Sequence, residues 1–374
     1  MKKLTLNSML MVTLLFLGAC GDTNDSSGVE TSNNTEINEV DDSAESNANE
    51  ENNTAVEASV EGLEFSLGHM NSTDHVQDSL AMRPWSEQVA EATEGRVQFQ
   101  IYPGGALGSP PETYDNIVTG IMDAGWGLQG YNAGVWEIHS AMQLPFLAEG
   151  TAADLSVVTQ KLYDTFPEIQ EEYGDVKVLW THAADPYAII TAGTKVETLE
   201  DLEGLRLRTP HVEGGEMIES WGGTPVSMPA PEIYDAMQRG VIDGGVLPVA
   251  AIADFNIYDV VDYVTIGNFN TSLFYVFMNQ SSWDSISPED QKIIEGLSGE
   301  QMARQSGEAF DTQREDAYDK SIEEGIEFYE LEEAELARFR EASEVVTERW
   351  LGDMEAKGVD GQAIIDEAHK LMEE

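Results

Sequence analysis

Two hydrophobic periods alternate along the first hundred residues that have the makings of a fold, and this alternation constrains the architecture more than any other feature. Leu63, Phe65 and Leu67 recur at every second position, the spacing of a half-buried strand, and run into Gly68, His69 and Met70. Trp85, Val89 and Ala90 then recur at helical spacing after Pro84, with Gly95 as a stop signal. Val97, Phe99 and Ile101 repeat the strand pattern, and Tyr114, Ile117, Val118 and Ile121 mark a second helix beyond a turn-rich loop. Strands alternating with helices predict an α/β fold built on a mainly parallel sheet with helices on both faces. At 374 residues the chain is long enough for two such lobes.

Further on, GWGLQG at 125–130 satisfies the G-x-G-x-x-G pattern, but it follows a helix and precedes a loop, the wrong context for a dinucleotide fingerprint. It reads instead as a strand tip that puts Trp126 at a cleft, with plain core burial as the alternative. An amphipathic helix is expected over 155–173, a strand over 176–180 leading to His182, and a short strand at Ile189 and Ile190. Leu205 and Leu207 alternate with Arg206 and Arg208 in a strand stopped by Pro210, which places both arginines on one face. A helix over 231–239 ends at Gly240, and Val241, Ile242 and Asp243 read as a short strand entering a Gly244-Gly245 turn. Strand-like runs cover 260–266 and 273–278. From Ser287 the pattern is helical, with segments at 308–323, 332–350 and 360–372 whose Glu-rich faces read as solvated surface.

Charge and cysteine usage narrow the function. The chain carries 70 acidic against 19 basic residues, a formal charge of −51, which excludes nucleic acid as a partner and is tolerated best in salty surroundings. In so acidic a chain, cations at the end of a strand point to an anion that meets them. The single cysteine, Cys20, rules out an intrachain disulfide and a cysteine-based zinc site. Lys2 and Lys3, the apolar run 9–17 and Leu17-Gly18-Ala19-Cys20 make a signal peptide too short to span a bilayer as a helix. Leu-Gly-Ala-Cys resembles the lipobox of bacterial lipoproteins, which implies cleavage before Cys20 and lipidation of its thiol; an ordinary signal peptide with an incidental cysteine is the alternative. Cleavage removes two lysines and no acid, so −51 becomes −51 − 2 = −53. Residues 21–60 lack aromatic residues and are rich in Asn, Ser, Thr, Asp and Glu, the composition of an extended acidic tether.

Catalytic machinery is not indicated. The six histidines, His69, His75, His139, His182, His211 and His369, form no H-E-x-x-H pair, and neither a G-x-S-x-G elbow nor a Walker loop occurs. His69 stands out because it follows the first strand.

Four motifs in order, IYPGGALG at 101–108, DLEGLRLRTP at 201–210, GGTPVSMPAPEIYDAMQRGVIDG at 222–244 and MNQSSWDSISPEDQ at 278–291, resemble the solute-binding proteins of tripartite ATP-independent periplasmic (TRAP) transporters of the DctP type. The resemblance implies a two-lobe periplasmic-binding-protein-like fold with a long connecting helix and a ligand cleft between the lobes. The lobes are expected over 61–185 plus 274–313 and 186–273 plus 314–374. It also implies an extracytoplasmic monomer without enzymatic activity, cofactor or metal, which captures a small organic anion and passes it to membrane permease subunits. Arg208 falls on the family's carboxylate-pairing arginine, and Arg206 is expected to point away or along the sheet edge. Pro186, Tyr187, Ala188 and Ile189 stand where many members carry a further cleft arginine. DGGVLP at 243–248 puts Leu247 in the place of a ligand-contacting asparagine, and Ala230 replaces a frequent phenylalanine. Two polar handles are missing, which favours a monocarboxylate with an apolar or aromatic body. The expected ligand-binding set is Arg208, Trp126, His69, Leu247, Ala230, Met228, Phe274 and Tyr187. A ligand sensor for a receptor, a binder of a dicarboxylate or a zwitterionic compatible solute, and an enzyme on a related α/β scaffold are the alternatives.

Overall fold

A computed structural model describes residues 62–373, so the expectations for the signal peptide, Cys20 and the acidic tether lie outside the described residues. The chain runs β1 (Leu63–Gly68), α1 (Arg83–Ala92), β2 (Val97–Tyr102), α2 (Thr113–Val118), β3 (Ala124–Leu128), α3 (Ala152–Thr165), α4 (Pro167–Glu171), β4 (Val176–Ala183) and β5 (Tyr187–Thr191). It continues through β6 (Arg206–Thr209), α5 (Val212–Ser220), β7 (Thr224–Ser227), α6 (Ile233–Gln238), β8 (Gly244–Pro248), α7 (Ala251–Asp254), β9 (Tyr263–Ile266) and β10 (Leu273–Asn279). Then come α8 (Gln280–Asp284), α9 (Pro288–Gly296), α10 (Glu300–Glu324), β11 (Glu327–Glu330), α11 (Glu333–Lys357) and α12 (Gly361–Met372).

The strands form two sheets, ordered β2-β1-β3-β10-β4 and β11-β9-β5-β8-β6-β7. Both are mixed rather than mainly parallel. β1 pairs in parallel with β2 and β3, and β6 with β7 and β8, as the βαβ units require. β10 runs antiparallel to β3 and β4, and β5 antiparallel to β8 and β9. Both are strands that the chain enters after crossing from the other sheet, as is β11, which pairs in parallel with β9. Among the described residues three segments make such crossings: 184–186 between β4 and β5, 267–272 between β9 and β10, and α10 with the turn that leads to β11. α10 packs on α3 with Gly307 at the contact, where a Cβ would collide with the backbone of Ala152. α11 packs on α5 and α12 on α3.

Several local expectations change for identifiable reasons. The helix expected over 155–173 is two, α3 and α4, because Pro167 removes a backbone donor and turns the chain at Phe166. β4 extends to Ala183 and carries His182 within it. The expected strand at 241–243 begins later: Gly244 and Gly245 open β8 rather than forming a turn. β8 lies between β5 and β6, and a Cβ on Gly244 would collide with the Ile190 carbonyl oxygen and sit 2.9 Å from the Thr191 Cα. Glycine is required there by close backbone approach. Likewise Gly125 and Gly127 belong to β3, and Gly127 leaves the space that the buried Tyr275 ring fills. The G-x-G-x-x-G match is a packing feature. β11, four residues between two Glu-rich helices, has no apolar alternation to reveal it.

Buried aromatics fill the first sheet's core. Trp85 packs on Phe99 and Trp180 at ring-centroid distances of 4.8 and 5.2 Å, and Tyr275 stacks on Phe277 at 4.0 Å. Rings of this size bury large apolar areas and prefer such offset or tilted contacts.

Candidate functional site

The carboxyl ends of β1, β3, β6 and β8 converge on a cavity between the two sheets, the place where open α/β sheets leave a crevice. The space not occupied by atoms is about 450 Å³, open solvent at its boundary included. From the side of the first sheet come Met70, Asn71, His75, Trp126, Leu128, Tyr131, Phe274 and Phe310. The second sheet contributes Tyr187, Arg208, Ala230, Leu247, Pro248, Ala251, Asp254 and Phe255, and Ala184 lies on the crossing between them.

Arg208 sits at the end of β6 and is only 2 % exposed. Its Nε donates to the Met228 carbonyl oxygen at 3.1 Å, and its Nη2 lies 3.5 Å from Tyr131 Oη. Among the described residues no carboxylate lies within ion-pair distance of it. Arg206, two positions earlier on the same strand, binds Asp243 at 2.8 Å with a side chain 41 % exposed. One arginine is therefore neutralised at the partly exposed start of the strand, while the other is desolvated, held by a carbonyl and a hydroxyl, and free to meet an anion. Taking a cation out of water costs several kcal/mol, and an enclosed carboxylate with good geometry is what offsets it.

Tyr131 completes this pole from the opposite side. Its Oη accepts the Ala230 backbone N–H at 2.8 Å, so its own proton remains available to donate. Burial raises its pKa, opposed by the nearby Arg208 charge, and the phenol stays protonated.

The walls are aromatic. Trp126 stacks on Phe274 at 4.9 Å with 15° between the planes, and His182 stacks on the same ring at 5.1 Å. Phe310 of α10 closes the group 5.4 Å from Phe274. The Trp126 indole N–H donates to His182 Nε2 at 2.8 Å, which fixes the plane of the indole. Burial pushes the His182 pKa down to about 3, so the ring remains a neutral acceptor. Trp126 is thus core and cavity wall at once.

A second polar group lies on the same cavity. His75 Nδ1 accepts the Gln77 backbone N–H at 3.1 Å and lies 3.3 Å from Asn71 Nδ2, which leaves the proton on Nε2. That nitrogen is 3.3 Å from Asp254 Oδ1 of α7, with both side chains buried.

Of the eight residues expected from sequence, Arg208, Trp126, Leu247, Ala230, Phe274 and Tyr187 line this one cavity. Met228 does not; it reaches the site through the carbonyl that holds Arg208. His69 does not either. It is buried behind the wall with Nε2 3.0 Å from Asp78 Oδ2, and burial lowers its pKa against the raising effect of that carboxylate. The sequence reading missed Tyr131, His75 and Asp254. Tyr131 had a faint signal, an aromatic residue in the Gly-rich loop just beyond the β3 strand; Asp254 had none among 70 acidic residues.

Two mixed sheets joined by crossing segments, with an enclosed, charge-bearing cavity between them, define a solute-binding protein. The sequence profile of bacterial extracellular solute-binding protein family 7 (DctP) matches residues 67–353. The chain belongs to this family: it is an extracytoplasmic solute-binding protein of the TRAP transporter type, a transport protein and not an enzyme. A marine metagenome TRAP solute-binding protein specific for aromatic acid ligands, solved with 3-hydroxybenzoate, is 27 % identical, with a TM-score of 0.79 over 83 % of this chain and 98 % of its own. A TRAP solute-binding protein from Rhodoferax ferrireducens with copurified benzoate is 26 % identical, with a TM-score of 0.78 over 83 % and 97 %. One from Bordetella bronchiseptica with bound (R)- and (S)-mandelate is 25 % identical, with a TM-score of 0.79 over 83 % and 99 %.

Proposed function

We propose that this protein captures a small monocarboxylate with an aromatic or apolar body and delivers it to the membrane subunits of a TRAP transporter. The observation that carries the reading is Arg208, buried, without a carboxylate partner among the described residues, and facing a cavity walled by Trp126, Phe274, Phe310 and Leu247. A planar guanidinium takes a carboxylate through two parallel hydrogen bonds, and the Tyr131 hydroxyl adds a third donor beside it. Tyr187 and Ala230 complete the wall around that pole, and Met228 holds the guanidinium in place. Such walls suit a ring or a branched chain, and Leu247 offers nothing to a second carboxylate. The aromatic acids bound by the three similar proteins support the same class.

Capture works by closure of two lobes, residues 61–185 plus 274–313 against 186–273 plus 314–374. Tyr131 with Arg208 and Ala230, and His75 with Asp254, are contacts that a closed pair makes and an open pair lacks. A ligand touching both sides shifts that equilibrium by its differential affinity. The lipobox-like sequence ending at Cys20 supports lipid anchoring at the outer face of a membrane, with the acidic segment 20–60 as the tether.

The test is a thermal-shift screen of the purified protein over benzoate, mandelate, phenylacetate, an aliphatic monocarboxylate, succinate, D-glucuronate and ectoine. Ligands that bind only the folded state raise its apparent stability, and aromatic monocarboxylates are expected to raise it most. A shift given only by succinate, D-glucuronate or ectoine overturns the ligand class, and the absence of a shift from every carboxylate overturns the role of Arg208.

A further inference from the structure

The cavity carries an acid as well as a base, and the acid is not accounted for by a ligand with a single carboxylate. The Asp254 side chain is 6 % exposed and lines the same cavity as Arg208. Its Oδ1 is buried and makes no hydrogen bond among the described residues. The nearest donor, His75 Nε2, lies 3.3 Å away without the alignment of a hydrogen bond, and His75 is itself held by Asn71 and Gln77. A buried acceptor left without a donor is costly, and next to a bound anion it also repels. A donor brought by the ligand removes the first penalty, and an ammonium donor also offsets the second.

We propose that Asp254, backed by His75 and Asn71, is a second recognition pole that accepts a hydrogen bond from a donor on the ligand's ring or chain, remote from the carboxylate. This rests on the reading of the cavity as a carboxylate site. The preferred ligand is then an aromatic or apolar carboxylate bearing a hydroxyl or an ammonium group, and the plain acid is the poorer ligand. A site built to meet a polar group discriminates strongly against the analogue that lacks it, because the protein's own group is then left unpaired in the closed cavity. Charge-assisted hydrogen bonds of this kind are the stronger ones. Among the residues that line the cavity, Asp254 is the only carboxylate: Arg208 can only donate, Tyr131 already accepts from Ala230, and Asn71 and Tyr187 are neutral and therefore weaker acceptors.

The experiment is calorimetric titration of the full-length protein with benzoate, 3-hydroxybenzoate, 4-hydroxybenzoate, 3-hydroxyphenylacetate, phenylacetate and 4-(aminomethyl)benzoate. At least one donor-bearing acid is expected to bind about 10-fold or more tighter than its plain counterpart, the size of one well-made hydrogen bond to a charged group. The hydroxy acids and the amino acid separate the two donor types. In Asp254→Leu the ratio is expected to fall to within about twofold, and in Asp254→Asn, which keeps the shape and an acceptor oxygen but not the charge, to an intermediate value. If plain and donor-bearing acids bind wild-type protein equally, or the preference survives Asp254→Leu, the second pole is wrong while the carboxylate site stands. Failure of every one of these carboxylates to bind removes both.

Discussion

Tyr131 Oη and Arg208 Nη2 face each other across the cavity at 3.5 Å, one from the loop after β3 and the other from the end of β6. The same hydroxyl accepts the Ala230 N–H at 2.8 Å, so a single side chain from the first sheet's half touches both the cation and the backbone of the second. Tyr131→Phe keeps the ring and removes that contact. Ala230 N–H is left without its acceptor when the cavity closes, which costs about 1–3 kcal/mol. Affinity for the best aromatic acid is expected to drop by about 5- to 150-fold, measured by calorimetry, with an unchanged far-ultraviolet spectrum. An unchanged affinity would show that the hydroxyl plays no part in closure.

Arg208→Ala tests the anion pole itself. Removing one member of a buried ion pair costs about 3–5 kcal/mol, so binding is expected to weaken by roughly two to three and a half orders of magnitude. Arg208→Lys keeps the charge but loses the planar fork and the Nε bond to the Met228 carbonyl, and should recover only part of the affinity. Wild-type affinity in Arg208→Ala would remove the guanidinium from the site.

Much of the cavity's lining is legible in the sequence because strand chemistry is local. The alternation of Leu205, Arg206, Leu207 and Arg208 predicts which face the arginines take, and family motifs single out Arg208. Pairing of Arg206 with Asp243 depends on β8 coming to lie beside β6, a contact 37 positions apart that no local pattern contains. His75 and Asp254 meet for the same reason, across two sheets. His69 does not line the cavity, and the end of a strand does not say which of the next few residues turns toward it: His75 does, and His69 turns back to Asp78. Likewise, a pair of glycines has two physical uses, positive φ in a turn and close approach in a strand. Sequence alone does not tell them apart.

Gly244 separates those two uses experimentally. Gly244→Ala puts a Cβ against the Ile190 carbonyl oxygen in the middle of the second sheet, a contact that the backbone must move to relieve. Overpacking of this kind costs about 1–3 kcal/mol. As a control, Gly352→Ala in α11 meets nothing within 4 Å and has no positive φ, so it should stabilise by about 0.5–1 kcal/mol through helix propensity. Thermal midpoints of the two variants are expected to move in opposite directions. A neutral Gly244→Ala would mean that β8 does not approach β5 as closely as described.

Asp185, on the crossing between β4 and β5, links the fold to pH. Its side chain is 1 % exposed, and burial raises its pKa to about 8 although Arg314 lies 3.6 Å away. Glu172 is raised to about 7, again by burial, with the Ile138 and His139 backbone donors opposing. A carboxyl raised in the folded state stays protonated where the unfolded chain has ionised. Its stabilising contribution is complete below an unfolded value of about 4 and is lost as pH rises through 7 and 8. His139 and His182 act in the opposite sense: lowered by burial to about 4 and about 3, they stay neutral while the unfolded chain charges below about 6.5. Between about 4.5 and 6.5 the two trends oppose each other, and above 6.5 only the acids remain. Stability is therefore expected to fall from pH 6.5 to 8, by at most about 1.4 kcal/mol per pH unit for each acid. In Asp185→Asn the decline should be shallower, because a neutral amide of the same shape has no proton to lose. Urea unfolding at pH 6.5, 7.25 and 8, at constant ionic strength, measures both slopes, and equal slopes would place the titrating group elsewhere.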